Sequence, residues 1–121
     1  MHIGNRAPNI VILAASFLAL GICWLVMDAP ARADMPTFTI EFHDGKVAPV
    51  LIQVPANKQV RIELNNTGKT PAEFESHALH IEKVVVPNSK SIVVLRPLDP
   101  GQYDYFDDFH EDAPKGVLIA K

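Results

Sequence analysis

From Thr37 onward the chain places an apolar residue at every second position. Phe38, Ile40 and Phe42 interleave with Thr37, Thr39, Glu41 and His43, the pattern of a strand with one buried face. Asp44-Gly45 closes it as a turn. Residues 50–54, Val50-Leu51-Ile52-Gln53-Val54, predict a second strand between Pro49 and Pro55, where a missing N–H leaves the ladder intact. Val60, Ile62 and Leu64 alternate with Gln59, Arg61 and Glu63 in a third, and Asn65-Asn66-Thr67-Gly68 ends it with turn residues. Pro71-Ala72-Glu73-Phe74-Glu75-Ser76 reads as extended chain, with Glu73 and Glu75 on one face and Phe74 on the other. Val84-Val85-Val86 and Ile92-Val93-Val94-Leu95 are two more apolar runs, separated by Pro87-Asn88. Tyr103-x-Tyr105, entered from Pro100-Gly101, and Val117-Leu118-Ile119 complete the set.

These are about seven short strands with turn signals roughly every ten residues. No stretch after residue 34 carries a helical period. The expected fold is an all-β, antiparallel sandwich with Greek-key connections, formed by one domain without internal repeats or linkers.

The first 33 residues follow a different pattern. His2 and Arg6 precede an apolar run from Ile10 to Met27, and Ala31-Arg32-Ala33 follows it. A basic start, an apolar middle and an Ala-x-Ala end predict a secretory signal peptide over 1–33 and a mature domain over 34–121. An uncleaved membrane anchor is the competing reading, because the run approaches the length of a spanning helix. Cys23, the single cysteine, lies inside this run after the bulky Ile22, which argues against lipidation. The mature segment then has no thiol for a disulfide, a metal or a nucleophile.

Residues 34–121 carry nine Lys/Arg against thirteen Asp/Glu. The basic residues do not cluster, which excludes a nucleic-acid surface. The acidic excess is compatible with cation binding. It concentrates where the Tyr103 strand breaks into a loop containing Asp107, Asp108, His110, Glu111 and Asp112. Loops on a rigid sheet are frequent binding positions. Upstream, His80 and Glu82 share a face around Ile81, with Glu73, Glu75 and His77 nearby in sequence. A site of Glu73, Asp107 and His110, with Glu75, His80 or Glu82 beside it, offers hard oxygen and one or two imidazoles, a set suited to iron or Cu(II). The plainer readings are a solvated acidic loop, exposed edge-strand glutamates and a structural His43. Tyr103 and Tyr105 read as core residues.

Gly101-x-Tyr103-x-Tyr105, then Asp107-x-x-His110 and Lys115-Gly116 before the last strand, resembles the C-terminal copper loop of cupredoxins. That family has Cys-x-x-His followed by a methionine. Here Asp107 takes the cysteine position, His110 keeps the histidine, Pro114 falls at the methionine and Glu73 replaces the upstream histidine. Glu73-Phe74-Glu75, Glu82-Lys83, Pro100-Gly101-x-Tyr103 and Lys115-Gly116-x-Leu118-Ile119 together look like the cupredoxin-like domain of EfeO-type periplasmic iron-transport proteins. The resemblance implies a periplasmic partner of an inner-membrane iron permease that binds iron, copper or both and assists ferrous iron oxidation. Without a thiolate, blue-copper electron transfer is not expected. The alternative expectations are a metal-free sandwich that docks on a transporter or oxidase, and a small copper ferroxidase.

Overall fold

A computed structural model describes residues 34–121, and the predicted signal peptide over 1–33 lies outside them. Nine strands run in chain order: β1 (Thr37–His43), β2 (Lys46–Ala48), β3 (Leu51–Val54), β4 (Val60–Asn66), β5 (Ala72–Ser76), β6 (Ile81–Val85), β7 (Ser89–Leu95), β8 (Gly101–Asp107) and β9 (Gly116–Ala120). No helix occurs among the described residues. The two strands beyond the expected seven are β2, only three residues long, and β5, whose sequence had read simply as extended chain.

The strands form two layers, a four-stranded sheet ordered β2-β1-β4-β7 and a five-stranded sheet ordered β3-β9-β8-β5-β6. The pairing is not purely antiparallel as expected, because β1 lies parallel to β4 and β3 parallel to β9. Periodicity within a strand fixes which face is buried but not which neighbour it meets. The β2–β3 segment leaves one sheet and joins the other through Pro49 and Val50.

The alternation seen in sequence is the burial seen in space. Ile40 and Phe42 of β1 and Val60, Ile62 and Leu64 of β4 face Phe74, Tyr105 and Leu118 of the opposite sheet in one buried cluster. Each such side chain contributes about 1.5–3 kcal/mol relative to an exposed one. On β8 the inward positions are Tyr103, Tyr105 and Asp107, while Asp104 and Phe106 face outward. The same period therefore carries a carboxylate into the interior at the strand's end.

Four connections gather at that end of the sandwich: the Asp44-Gly45 turn, residues 67–71, residues 86–88 and the 108–115 loop. Asn66 knits two of them. Its fully buried amide donates to Thr70 O at 2.9 Å and Val85 O at 2.8 Å, and its Oδ1 accepts from Gly68 N–H at 3.0 Å.

Candidate metal centre

β5 lies between β6 and β8, and its outward residues decide the chemistry of that face. Glu75 stands opposite Phe106 on one side and Glu82 on the other, while Glu73 stands opposite Val84. Just past β8, Asp108 donates its backbone N–H to Glu73 O at 3.0 Å. Carboxylate oxygens of Glu73, Glu75 and Asp108 consequently all lie within 4.8 Å of one another. Glu75 is buried, Glu73 half-buried and Asp108 exposed. Loss of hydration raises Glu73 above the ordinary glutamate value, reinforced by Asp108, Glu82, Glu75 and Asp107. Like charges held this close favour either a shared proton or a cation.

An imidazole borders the cluster. His77 Nδ1 lies 3.1 Å from Glu75 Oε1, and its ring meets Phe106 at 5.4 Å between centroids. Glu75, His77, His80 and Glu82 line an open cleft over the β5–β6 turn, where His80 has φ 57°. Of the six residues named from sequence, Glu73 and Glu75 enter the carboxylate cluster, and Glu82 and His80 flank it.

Asp107 and His110 sit elsewhere. Asp107 is 1% exposed, and its Oδ1 accepts the backbone N–H groups of Glu73 at 3.0 Å and Phe109 at 3.1 Å. Its Oδ2 lies 2.7 Å from His110 Nδ1. The other ring nitrogen, Nε2, is 3.1 Å from Thr70 Oγ1. Thr70 Oγ1 in turn lies 2.9 Å from Asp44 Oδ1, which also accepts the backbone N–H groups of Lys69 and Thr70. These bonds, the Thr70 backbone one foremost, hold Asp44 below the ordinary aspartate range. Asp108 is the cluster residue that sequence ranking missed, although the alternation that buries Tyr105 and Asp107 turns the next residue outward.

The chain matches the family described as Cupredoxin-like domain over residues 16–120, and it belongs to that family. An uncharacterized protein of Rickettsia prowazekii (strain Madrid E) is 34% identical over 123 residues, covering 99% of this chain and 98% of that one. Among solved structures it is similar to auracyanin A, a "blue" copper protein from Chloroflexus aurantiacus. That match has a TM-score of 0.62 and 12% identity, and covers 73% of this chain and all of that one. The metal-binding domain of the Cu(I)-exporting P-type ATPase CopA of Streptococcus pneumoniae D39 matches with a TM-score of 0.59 and 14% identity, covering 70% of this chain and 84% of that one. At such identities the likeness is one of fold.

A blue-copper centre does not fit these residues. Such a centre needs a thiolate, and residues 34–121 contain no cysteine. The retained histidine, His110, has both ring nitrogens engaged by Asp107 and Thr70. What the fold presents in its place is an oxygen-rich surface cluster on β5 and the β8–β9 loop.

Proposed function

We propose that this cupredoxin-like protein binds a hard cation at Glu73, Glu75 and Asp108, with Glu82 and His77 able to complete the coordination sphere. The observation that carries the reading is the convergence of three carboxylates, from two separate segments, within 4.8 Å. Carboxylate ligands suit hard cations, and imidazole extends the set to iron and Cu(II). Three negative charges stabilise Fe(III) over Fe(II), so such a site would ease oxidation of bound ferrous iron by an external acceptor. Iron is the favoured metal in this reading, with Cu(II) as the competitor.

The EfeO-type motifs around Glu73-Phe74-Glu75 and Lys115-Gly116 support the wider setting: an exported periplasmic protein serving an inner-membrane iron permease. Titration with Fe(III) delivered from citrate, and separately with Cu(II), tests the site. One equivalent of iron bound by the wild type and lost in Glu73→Gln and Asp108→Asn is the expected result. Equal binding in all three proteins removes the site.

A second reading, a metal-free docking module, has its own observation. Val84 of β6, Val86 just beyond it, and Ile92 and Val94 of β7 are about half exposed, and the consecutive strands β6 and β7 form open sheet edges. Exposed apolar edges are places where other chains add. Capture of the permease by wild type and Glu73→Gln alike, without metal, would favour it.

A further inference from the structure

We infer that Asp107, His110, Thr70 and Asp44 form a hydrogen-bonded strut that positions Glu73 and Asp108, and that Asp107 and His110 act through it rather than as ligands. This rests on reading the carboxylate cluster as a cation site.

The bonds converge on the two cluster residues that come from different segments. Asp107 Oδ1 accepts the N–H of Glu73 itself and that of Phe109, the residue after Asp108. The N–H of Asp108 returns a bond to the carbonyl of Glu73. Three hydrogen bonds thus fix the backbone of β5 against the start of the 108–115 loop, each within one residue of a cluster carboxylate. Groups behind the ligands that fix orientation in this way set affinity without touching the ion.

The second oxygen of Asp107 extends the strut across the end of the sandwich. It bonds His110, His110 reaches Thr70, and Thr70 reaches Asp44 in the β1–β2 turn. Asp44 is itself fixed by two further backbone donors, and Gly45 supplies the positive φ of 86° that the turn beside the His110 ring adopts. A loop of eight residues is thereby anchored at its start to β5 and to two other loops.

The direction of the bonds separates a strut from a ligand. Thr70 gives its single hydroxyl hydrogen to Asp44 Oδ1 and therefore accepts from His110 Nε2. In Asp107→Asn the amide oxygen can keep both backbone N–H groups only if its nitrogen donates to His110. The ring then carries its hydrogen on Nε2, donates to Thr70, and Thr70 donates to Asp44. The isostere preserves every link of the strut while removing the charge a ligand would need.

Terbium(III), a hard trivalent probe, titrated by luminescence into the full-length protein, tests this. Asp107→Ala and Thr70→Val are expected to weaken binding at least about tenfold at unchanged stoichiometry. Thr70→Ser and Asp107→Asn are expected to restore it to within about threefold. Binding lost in Asp107→Asn as completely as in Glu73→Gln makes Asp107 a ligand and overturns the strut. Unchanged affinity in Asp107→Ala and Thr70→Val overturns it too. If the wild type binds no terbium, the cation reading fails separately, and amide hydrogen exchange of the metal-free protein decides the strut. Faster exchange at Glu73 and Phe109 in Asp107→Ala and Thr70→Val, but not in Asp107→Asn, upholds it; equal exchange in all variants rejects it.

Discussion

The Tyr105 ring packs directly over the Cα of Gly116, so that a methyl group added at Gly116 would overlap the ring. Gly116 opens β9 opposite Tyr105 on β8, and the bare backbone is what lets the largest core side chain lie flat between the sheets. Gly116→Ala must displace a fully buried ring that also meets Phe74 at 5.7 Å between centroids. Overpacking of this kind costs about 1–3 kcal/mol. Urea unfolding is expected to show that loss. Gly101→Ala, where the nearest atom to a new Cβ is 3.8 Å away, is expected to stay within about 1 kcal/mol of wild type.

Tyr105 donates its hydroxyl hydrogen to Pro49 O, across the point where β2 passes into β3. Burial pushes this phenol up to about 12. Its folded value lies above the unfolded one of 10.0, so the associated stability is present below pH 10 and is lost as pH rises through 12. In an alkaline absorbance titration, one of the chain's two tyrosines is expected to ionise only near pH 12, together with unfolding. Ionisation of both well below that value contradicts the burial.

Asn66 is expected to be the most sensitive polar residue outside the carboxylate face. Replacing it with Ala strips partners from two carbonyls and one N–H at a buried junction. An unsatisfied buried group costs about 1–3 kcal/mol, so a loss of roughly 2–4 kcal/mol is expected for the three together after partial relaxation. Thermal unfolding measures it. A change no larger than that of Asn65→Ala, made on the half-buried neighbouring position, would show that the amide is dispensable.

Much of this fold is legible in the sequence. Period-two alternation placed Phe38, Ile40, Phe42, Val60, Ile62 and Leu64 on inward faces and set Glu73 and Glu75 together on an outward one. It left the neighbours open, because β1 and β4 satisfy the same alternation whether their ladder is parallel or antiparallel. At the site, the family pattern drew attention to Asp107 and His110 as a ligand pair, and the two side chains hydrogen-bond each other. Carrying the Tyr103-Tyr105 alternation two residues further would have turned Asp107 inward and Asp108 toward Glu75. No local pattern could have announced Thr70 or Asp44, whose roles depend on loops remote in sequence meeting at one end of the sandwich.

Two acids are expected to move stability in opposite directions with pH. Asp44 is held low by donors from Thr70 and Lys69. Its contribution is present above the ordinary value of 3.8 and disappears as pH falls through the lower folded one. Glu73 is raised by lost hydration and neighbouring carboxylates. The protonated form therefore favours the fold below 4.5, and that advantage is lost as pH rises through the raised value. In metal-free protein, Glu73→Gln should raise the unfolding midpoint at neutral pH, with the gain shrinking below pH 4.5. Asp44→Asn should lower it at neutral pH and lose its effect in acid. Reversed signs in either denaturation series would mean that the local charges are misassigned.

Copper supplies the last discriminating measurement, because colour reports on ligand type. Intense blue arises from charge transfer between a thiolate and Cu(II) in a constrained site. No thiolate is available between residues 34 and 121, and the donors that converge are the oxygens of Glu73, Glu75 and Asp108 with His77 beside them. Cu(II) added to the protein should therefore give only weak, ligand-field absorption, and Glu75→Gln should perturb it more than His110→Gln does. A strong visible band would require the thiolate of Cys23. Equal perturbation by the two variants would place His110 on the metal, and the oxygen cluster would then not be the site.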